Sequence, residues 1–179
     1  MQLEKEIKIL NINVQDVKSK LEQLGATCKG TFFQKRYTYD TKPVNPNKWM
    51  RLRTNGKKTT LTIKEIVDKT KVDGTKEWEI EVSDFDETNK ILFELGYEYR
   101  NYQENVRTIY AFENLEIVID KWPQIPEYLE VEGDNVESVL NFVEKLNLEN
   151  CEVTTVDVVS VYEKYGIDIL KIKELRVNV

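Results

Sequence analysis

The feature that most constrains this chain is an alternation of ionised and apolar side chains that returns on strand after strand. Successive side chains of a strand point to opposite faces, so parity tells which residues share a side. Glu4, Glu6 and Lys8 fall together against Leu3, Ile7 and Ile9; Arg51 and Arg53 oppose Met50 and Leu52; Thr60, Thr62 and Lys64 oppose Leu61 and Ile63. Glu77, Glu79 and Glu81 oppose Trp78, Ile80 and Val82, which puts Trp78 on the parity expected for core. Arg107 opposes Val106, Asp120 opposes Ile117 and Ile119, and Glu130 with Glu132 opposes Leu129 and Val131. On a single strand such a face reads as the solvated side of a sheet. Here arginines fill one block and Glu-x-Glu pairs fill others, which is unlike the usual solvated mixture. If the strands close into a barrel with helices over the apolar faces, the charges line its interior. Small barrels normally fill that interior with packed side chains, so an ionised one calls for a charged ligand that offsets the desolvation.

Strand periodicity falls near 3–10, 32–40, 49–54, 59–66, 76–82, 104–112, 115–121 and 127–132. Three times a Glu-x-Glu strand precedes an Asp or Asn and an amphipathic helix. Glu4-Lys5-Glu6 leads to a helix carrying Leu21 and Leu24 and stopping at Gly25. Glu79-Ile80-Glu81 leads through Ser83-Asp84-Phe85-Asp86, which has the form of a capping box, to a helix closing at Leu95-Gly96. Glu130-Val131-Glu132 leads through Asp134-Asn135 to a helix carrying Leu140, Val143 and Leu146. Asn55-Gly56 reads as a hairpin turn, 42–48 as an irregular loop with two prolines, and 155–165 as a last helix before Gly166. The tail from Lys171 to Val177 reads as an extra strand or a loose end. At 179 residues without a Ser- or Gly-rich linker, a single domain over 1–179 is expected.

Composition removes several classes of function. A net charge of −6 argues against nucleic-acid or membrane-surface binding. The two cysteines, Cys28 and Cys151, form no metal or redox spacing. With no histidine, catalysis must use carboxylates, lysine, arginine, tyrosine or a metal. The sequence shows neither a secretory leader nor an apolar span, so a cytoplasmic location is expected.

Lys8, Arg51, Arg53, Lys64 and Arg107 offer cationic donors whose guanidinium forks match phosphate oxygens. Glu4, Glu6, Asp120, Glu130 and Glu132 would repel such a polyanion unless a divalent cation intervened, and hard oxygen ligands suit Mg2+ or Mn2+. A metal-bridged polyphosphate satisfies both sets.

The N-terminal Glu4-Lys5-Glu6-Ile7-Lys8 has the form E-x-E-x-K, followed in order by Arg51-Leu52-Arg53, Leu61-Thr62-Ile63-Lys64 and Glu130-Val131-Glu132. This series resembles the CYTH superfamily of triphosphate tunnel metalloenzymes, which includes class IV adenylyl cyclases, thiamine triphosphatases and inorganic triphosphatases. The resemblance implies an α+β fold: an eight-stranded antiparallel β-barrel, the triphosphate tunnel, with helices packed outside. It assigns Lys8, Arg51, Arg53, Lys64 and Arg107 to the triphosphate and Glu4, Glu6, Glu130 and Glu132 to metal, with Asp120 as an additional acid and Glu79 and Glu81 as further candidates. Lys8, Glu6 and Glu132 are candidate catalytic residues. Tyr37 or Tyr39 is matched to a tyrosine that some members place near the conserved lysine, and Tyr39 joins the catalytic candidates. The expected substrate is inorganic triphosphate, thiamine triphosphate or ATP, hydrolysed with Mg2+ or Mn2+. The alternatives are conversion of ATP to cyclic AMP and pyrophosphate, and a non-catalytic polyphosphate- or nucleotide-binding module. Trp49 and Trp122 are candidates to stack on a base, with Trp122, beside Pro123, at the rim. Oligomeric state stays open, with a dimer among the options.

Overall fold

The computed structural model describes residues 2–178. Eleven strands and four helices follow in chain order: β1 (Gln2–Glu4), β2 (Glu6–Leu10), α1 (Val14–Leu24), β3 (Thr27–Asn45), β4 (Lys48–Thr54), β5 (Thr59–Ile66), β6 (Thr75–Val82), α2 (Phe85–Glu94), β7 (Asn101–Phe112), β8 (Leu115–Lys121), β9 (Tyr128–Gly133), α3 (Val136–Leu146), β10 (Glu152–Thr154), α4 (Val158–Lys164) and β11 (Glu174–Leu175). A 3-10 turn, Ile169–Lys171, precedes the last strand.

All strands belong to one sheet, ordered β1-β6-β5-β4-β3-β7-β8-β9-β2-β10, with β11 parallel to β7. The ladder is not a closed ring. Its two ends meet in one stretch of chain, because β1 pairs with β6 and β2 pairs with β9, and only Lys5 separates β1 from β2. Counted this way, the eight expected strands are β3 to β9 plus a first strand split in two, and the short β10 and β11 are additions.

Three apolar clusters set the layers. Ile7, Ile9, Ile117, Leu129 and Val131 of the sheet meet Val17 and Leu21 of α1 and Val139, Phe142 and Leu146 of α3. Tyr39, Met50 and Leu52 meet Phe85 and Leu92 of α2. Leu10, Trp122, Ile125 and Tyr128 meet Val161 and Tyr162 of α4, Ile169 and Leu175.

The repeated strand-to-helix unit has a physical basis at its cap. Asn13 accepts from the amides of Gln15 and Asp16, Asp84 from Glu87 at 2.8 Å and Asn135 from Ser138 at 2.8 Å. Each satisfies amides that the first helical turn leaves without partners. At the other end of α1, Gly25 adopts φ 84°, the left-handed turn that glycine takes without penalty.

Two expectations are corrected. Residues 42–45 are not loop but the end of the 19-residue β3, which turns back into β4 at Pro46 and Asn47. Trp78 is not core: α2 reaches Val82 at the end of β6, but neither Trp78 nor Ile80 belongs to an apolar cluster among the described residues, and Trp78 is 36% exposed, under Lys48, and Ile80 61% exposed. Parity gave the side of the sheet correctly, but it does not say whether anything packs on that side.

Candidate active site

The inner faces of the sheet enclose a cavity of about 490 Å³. Lys8, Arg51, Arg53, Lys64, Arg107, Glu4, Glu6, Glu79, Glu130 and Glu132 all line it, so ten of the residues read from the alternation share one space.

Cross-strand register explains the pairings. Lys8 stands opposite Glu130 and bonds to Glu6, with Glu130 at 3.6 Å. Arg107 stands opposite Asp120, donates to it from Nε at 3.1 Å and Nη2 at 2.8 Å, and reaches Glu130 at 2.6 Å. Lys64 stands opposite Glu77 at 3.7 Å and bonds to Glu4. Arg51 meets Glu77 at 3.4 Å and Glu79 at 3.6 Å, and Thr62 donates to Glu79 at 2.8 Å.

The exceptions are more informative. Arg53 has no carboxylate within 4.0 Å among the described residues. Arg51, burial and Arg107 together push its pKa down to about 9. Opposite it in register, on β3, stands Arg36, also without a carboxylate partner among the described residues. Two guanidiniums facing each other directly across a ladder are repulsive unless an anion sits between them. Glu132 is the converse: it stands opposite Glu6 on the neighbouring strand, and burial with the charges of Glu6 and Glu4 pushes its pKa up to about 7. Burial would also raise Glu6, but Lys8 and Lys64 overcome it and hold that carboxyl at about 2. Burial opposes the charge of Lys8 as well, yet Glu6 and Glu130 hold it above its ordinary range.

Counting around the strand order, β3 and β4 stand across the cavity from β2 and β9. Among the described residues, the cavity cations without a carboxylate partner, Arg36 and Arg53, therefore lie on one wall, and Glu132 lies on the other, opposite Glu116, which also lines the cavity without a partner.

Glu4, Glu6, Glu130 and Glu132 provide oxygen donors on adjacent strands, and the charge crowded around Glu132 is what a divalent cation would relieve. The donor set fits such an ion in chemistry. Among the described residues no three acids are gathered closely enough to hold one as they stand, and Glu6 and Glu4 are engaged by Lys8 and Lys64.

Other expectations land elsewhere. Tyr39 is corrected: it lies on the outer face, fully buried beneath α2, and its hydroxyl donates to Asn89 at 2.9 Å, so it is a packing residue. Tyr37 lies beside it, stacked on Phe85 at 5.1 Å. Asp120 is buried behind the cavity wall and its oxygens are taken by Arg107, Asn105 and Tyr128, so it positions Arg107 rather than facing a ligand. Glu81 sits at the end of β6 toward Lys58, at 3.7 Å, away from the cavity. Trp122 is not at the rim but 3% exposed, with Arg36 over its ring. Arg36 and Glu77 are among the cavity residues that the sequence reading left out of the site. The parity rule applied to Gln34, Arg36 and Thr38 places all three inside, but attention on Tyr37 and Tyr39 followed the opposite face.

The structure is similar to the PH1012 protein from Pyrococcus horikoshii OT3, with TM-score 0.72, 26% identity and coverage of 84% of this chain and 94% of that one. It is similar to a putative adenylate cyclase from Vibrio parahaemolyticus, with TM-score 0.68, 15% identity and coverage of 82% and 90%. It is also similar to a putative adenylyl cyclase from Hippeastrum, described as revealing a dominant triphosphatase activity, with TM-score 0.62, 17% identity and coverage of 94% and 99%. No curated protein matches the sequence. The family model of the CYTH domain matches residues 2–157. With that match over most of its length, on a fold of this kind, the chain belongs to the CYTH domain family.

Proposed function

We propose that this chain hydrolyses triphosphates inside its sheet-lined cavity, with the divalent cation on which the CYTH family generally depends. Members of the family are triphosphatases or adenylyl cyclases, and the choice of hydrolysis is our reading. The observation that carries it is the polarised cavity: Arg53 and Arg36 unpaired on one wall, Glu132 unpaired on the other. A polyphosphate binds the first wall and a cation the second.

Phosphoryl transfer asks a protein mainly for positioning and charge neutralisation. Arg51, Arg53, Lys64 and Arg107 are the phosphate ligands, and Lys8, held by Glu6 and Glu130, is a further cation against the chain of phosphates. Asp120 fixes the fork of Arg107 through two hydrogen bonds, so its orientation is set before substrate arrives. Glu4, Glu6, Glu130 and Glu132 would hold the divalent cation, which when bound neutralises phosphate oxygens and acidifies water. Glu132, one of these donors, would orient the attacking water.

Release of orthophosphate from inorganic triphosphate, measured with Mg2+ and with Mn2+, tests the proposal. Cyclic AMP and pyrophosphate formed from ATP without orthophosphate would replace it with the cyclase reading. No turnover of either, with triphosphate still bound, would leave a binding module.

A further inference from the structure

The buried guanidinium of Arg36 is the feature that the pairings above do not use. It is 4% exposed and lines the cavity. Its Nη2 donates to Asn105 Oδ1 and, at 3.2 Å, to Gln34 Oε1, both neutral amide oxygens. Its carbon stands 4.5 Å from the ring centroid of Trp122, so an aromatic face supports the cation from one side. Its Nε is buried without a partner, and among the described residues Nη1 has none either. A guanidinium in this position is thus oriented by amides and a π face but not neutralised.

Leaving it so is costly. Burial, then Arg107, Arg53 and Arg51, all act against its charge. Arginine does not discharge in the range where proteins fold, so the penalty remains in the free protein. An anion between Arg36 and Arg53 would remove it: Arg53 can offer its fork, while Arg36, whose Nη2 is held by Asn105 and Gln34, can donate a charge-assisted bond from Nη1.

We propose that Arg36 and Arg53 together clamp a terminal, unesterified phosphate of the substrate, with Trp122, Asn105 and Gln34 as the residues that position Arg36. The inference rests on the triphosphate reading above. It adds that the clamp is specific for a free end: the fork of Arg53 and the opposed Nη1 of Arg36 together match the three oxygens of a terminal phosphate, whereas an internal phosphate has only two free oxygens. A linear triphosphate therefore gains from Arg36, and cyclic trimetaphosphate, which has no end, gains little.

The test is calorimetric titration of linear inorganic triphosphate and of trimetaphosphate into the whole protein in EDTA, so that no step depends on metal or turnover. Arg36→Met is expected to weaken linear triphosphate by roughly 10- to 100-fold, the loss of charge-assisted hydrogen bonds, with little change for trimetaphosphate. Arg36→Lys, which keeps the charge but not the fork, recovers part of the loss. Arg36→Met combined with Arg53→Met loses less than the product of the two, because both touch one phosphate. A cooperatively melting Arg36→Met that binds linear triphosphate like the native protein overturns the inference and leaves the proposed function intact. If Arg36→Met does not fold, Arg36→Lys decides: native affinity overturns the clamp, and a several-fold loss supports it. Failure of the native protein to bind linear triphosphate in EDTA would overturn the clamp alone, and failure to bind it in Mg2+ as well would overturn the proposed function too.

Discussion

Asp120 offers the sharpest test of how the cavity wall is held. It is fully buried and accepts two hydrogen bonds from Arg107 and one from Asn105 Nδ2. Removing one partner of a buried pair costs about 3–5 kcal/mol, because the remaining charge keeps its desolvation penalty. Glu130 still contacts Arg107 at 2.6 Å, so Asp120→Ala should fall toward the lower end of that range. For a chain of this size each kcal/mol moves the melting temperature by about 2–4 °C, so a drop of roughly 6–12 °C is expected. Urea denaturation and thermal melts in EDTA and again with Mg2+ give the measurement. If Asp120 anchors Arg107, the loss is the same in both. A loss below about 1 kcal/mol in EDTA, or one that appears only with the metal, would refute the anchoring argument and return Asp120 to the metal ligands.

Other outcomes follow from the same geometry. Arg53→Ala and Lys64→Ala should each weaken triphosphate binding and turnover by roughly 10- to 100-fold while circular dichroism stays native. Tyr39→Phe should lose the bond to Asn89, about 0.5–1.5 kcal/mol in denaturation, and leave turnover unchanged; a large loss of turnover would restore Tyr39 to the site. The Glu132 carboxyl is raised to about 7 from an ordinary value near 4.5, so the folded state holds its proton longer than the unfolded one. Its contribution to stability is greatest below pH 4.5 and is lost as pH rises through 7. In denaturation without metal, Glu132→Gln should remove that decline, on the order of 3 kcal/mol. Gly74→Ala should disrupt the loop between β5 and β6, since a Cβ there would stand 1.7 Å from the carbonyl oxygen of Asp68; a native melt would contradict it.

The long strands were legible because each carries a strict alternation, and the helix starts because Asp84 and Asn135 stand where a first turn needs acceptors. What parity could not supply was the third dimension. Trp78 and Met50 obey the same rule, yet a helix, α2, lies over Met50 while the side chain of Lys48 lies over Trp78. Cross-strand register was equally out of reach, and it is register that puts Arg36 against Arg53 and Glu6 against Glu132. Residue type told what the cavity contains; only the pairing told which charges remain free within it. Tyr39 shows the cost of following a motif against parity, since its neighbours Arg36 and Thr38 were the inward pair.

The split first strand has a consequence for how the molecule is made. Gln2 pairs with Glu77 and Glu6 with Glu132, so the opening residues of the chain wait for segments synthesised much later. Such distant contacts are slow to form and leave strand edges open in the interim. The cavity can therefore exist only after β9 has emerged, and a nascent chain stopped short of it would carry its E-x-E-x-K segment without half of its partners.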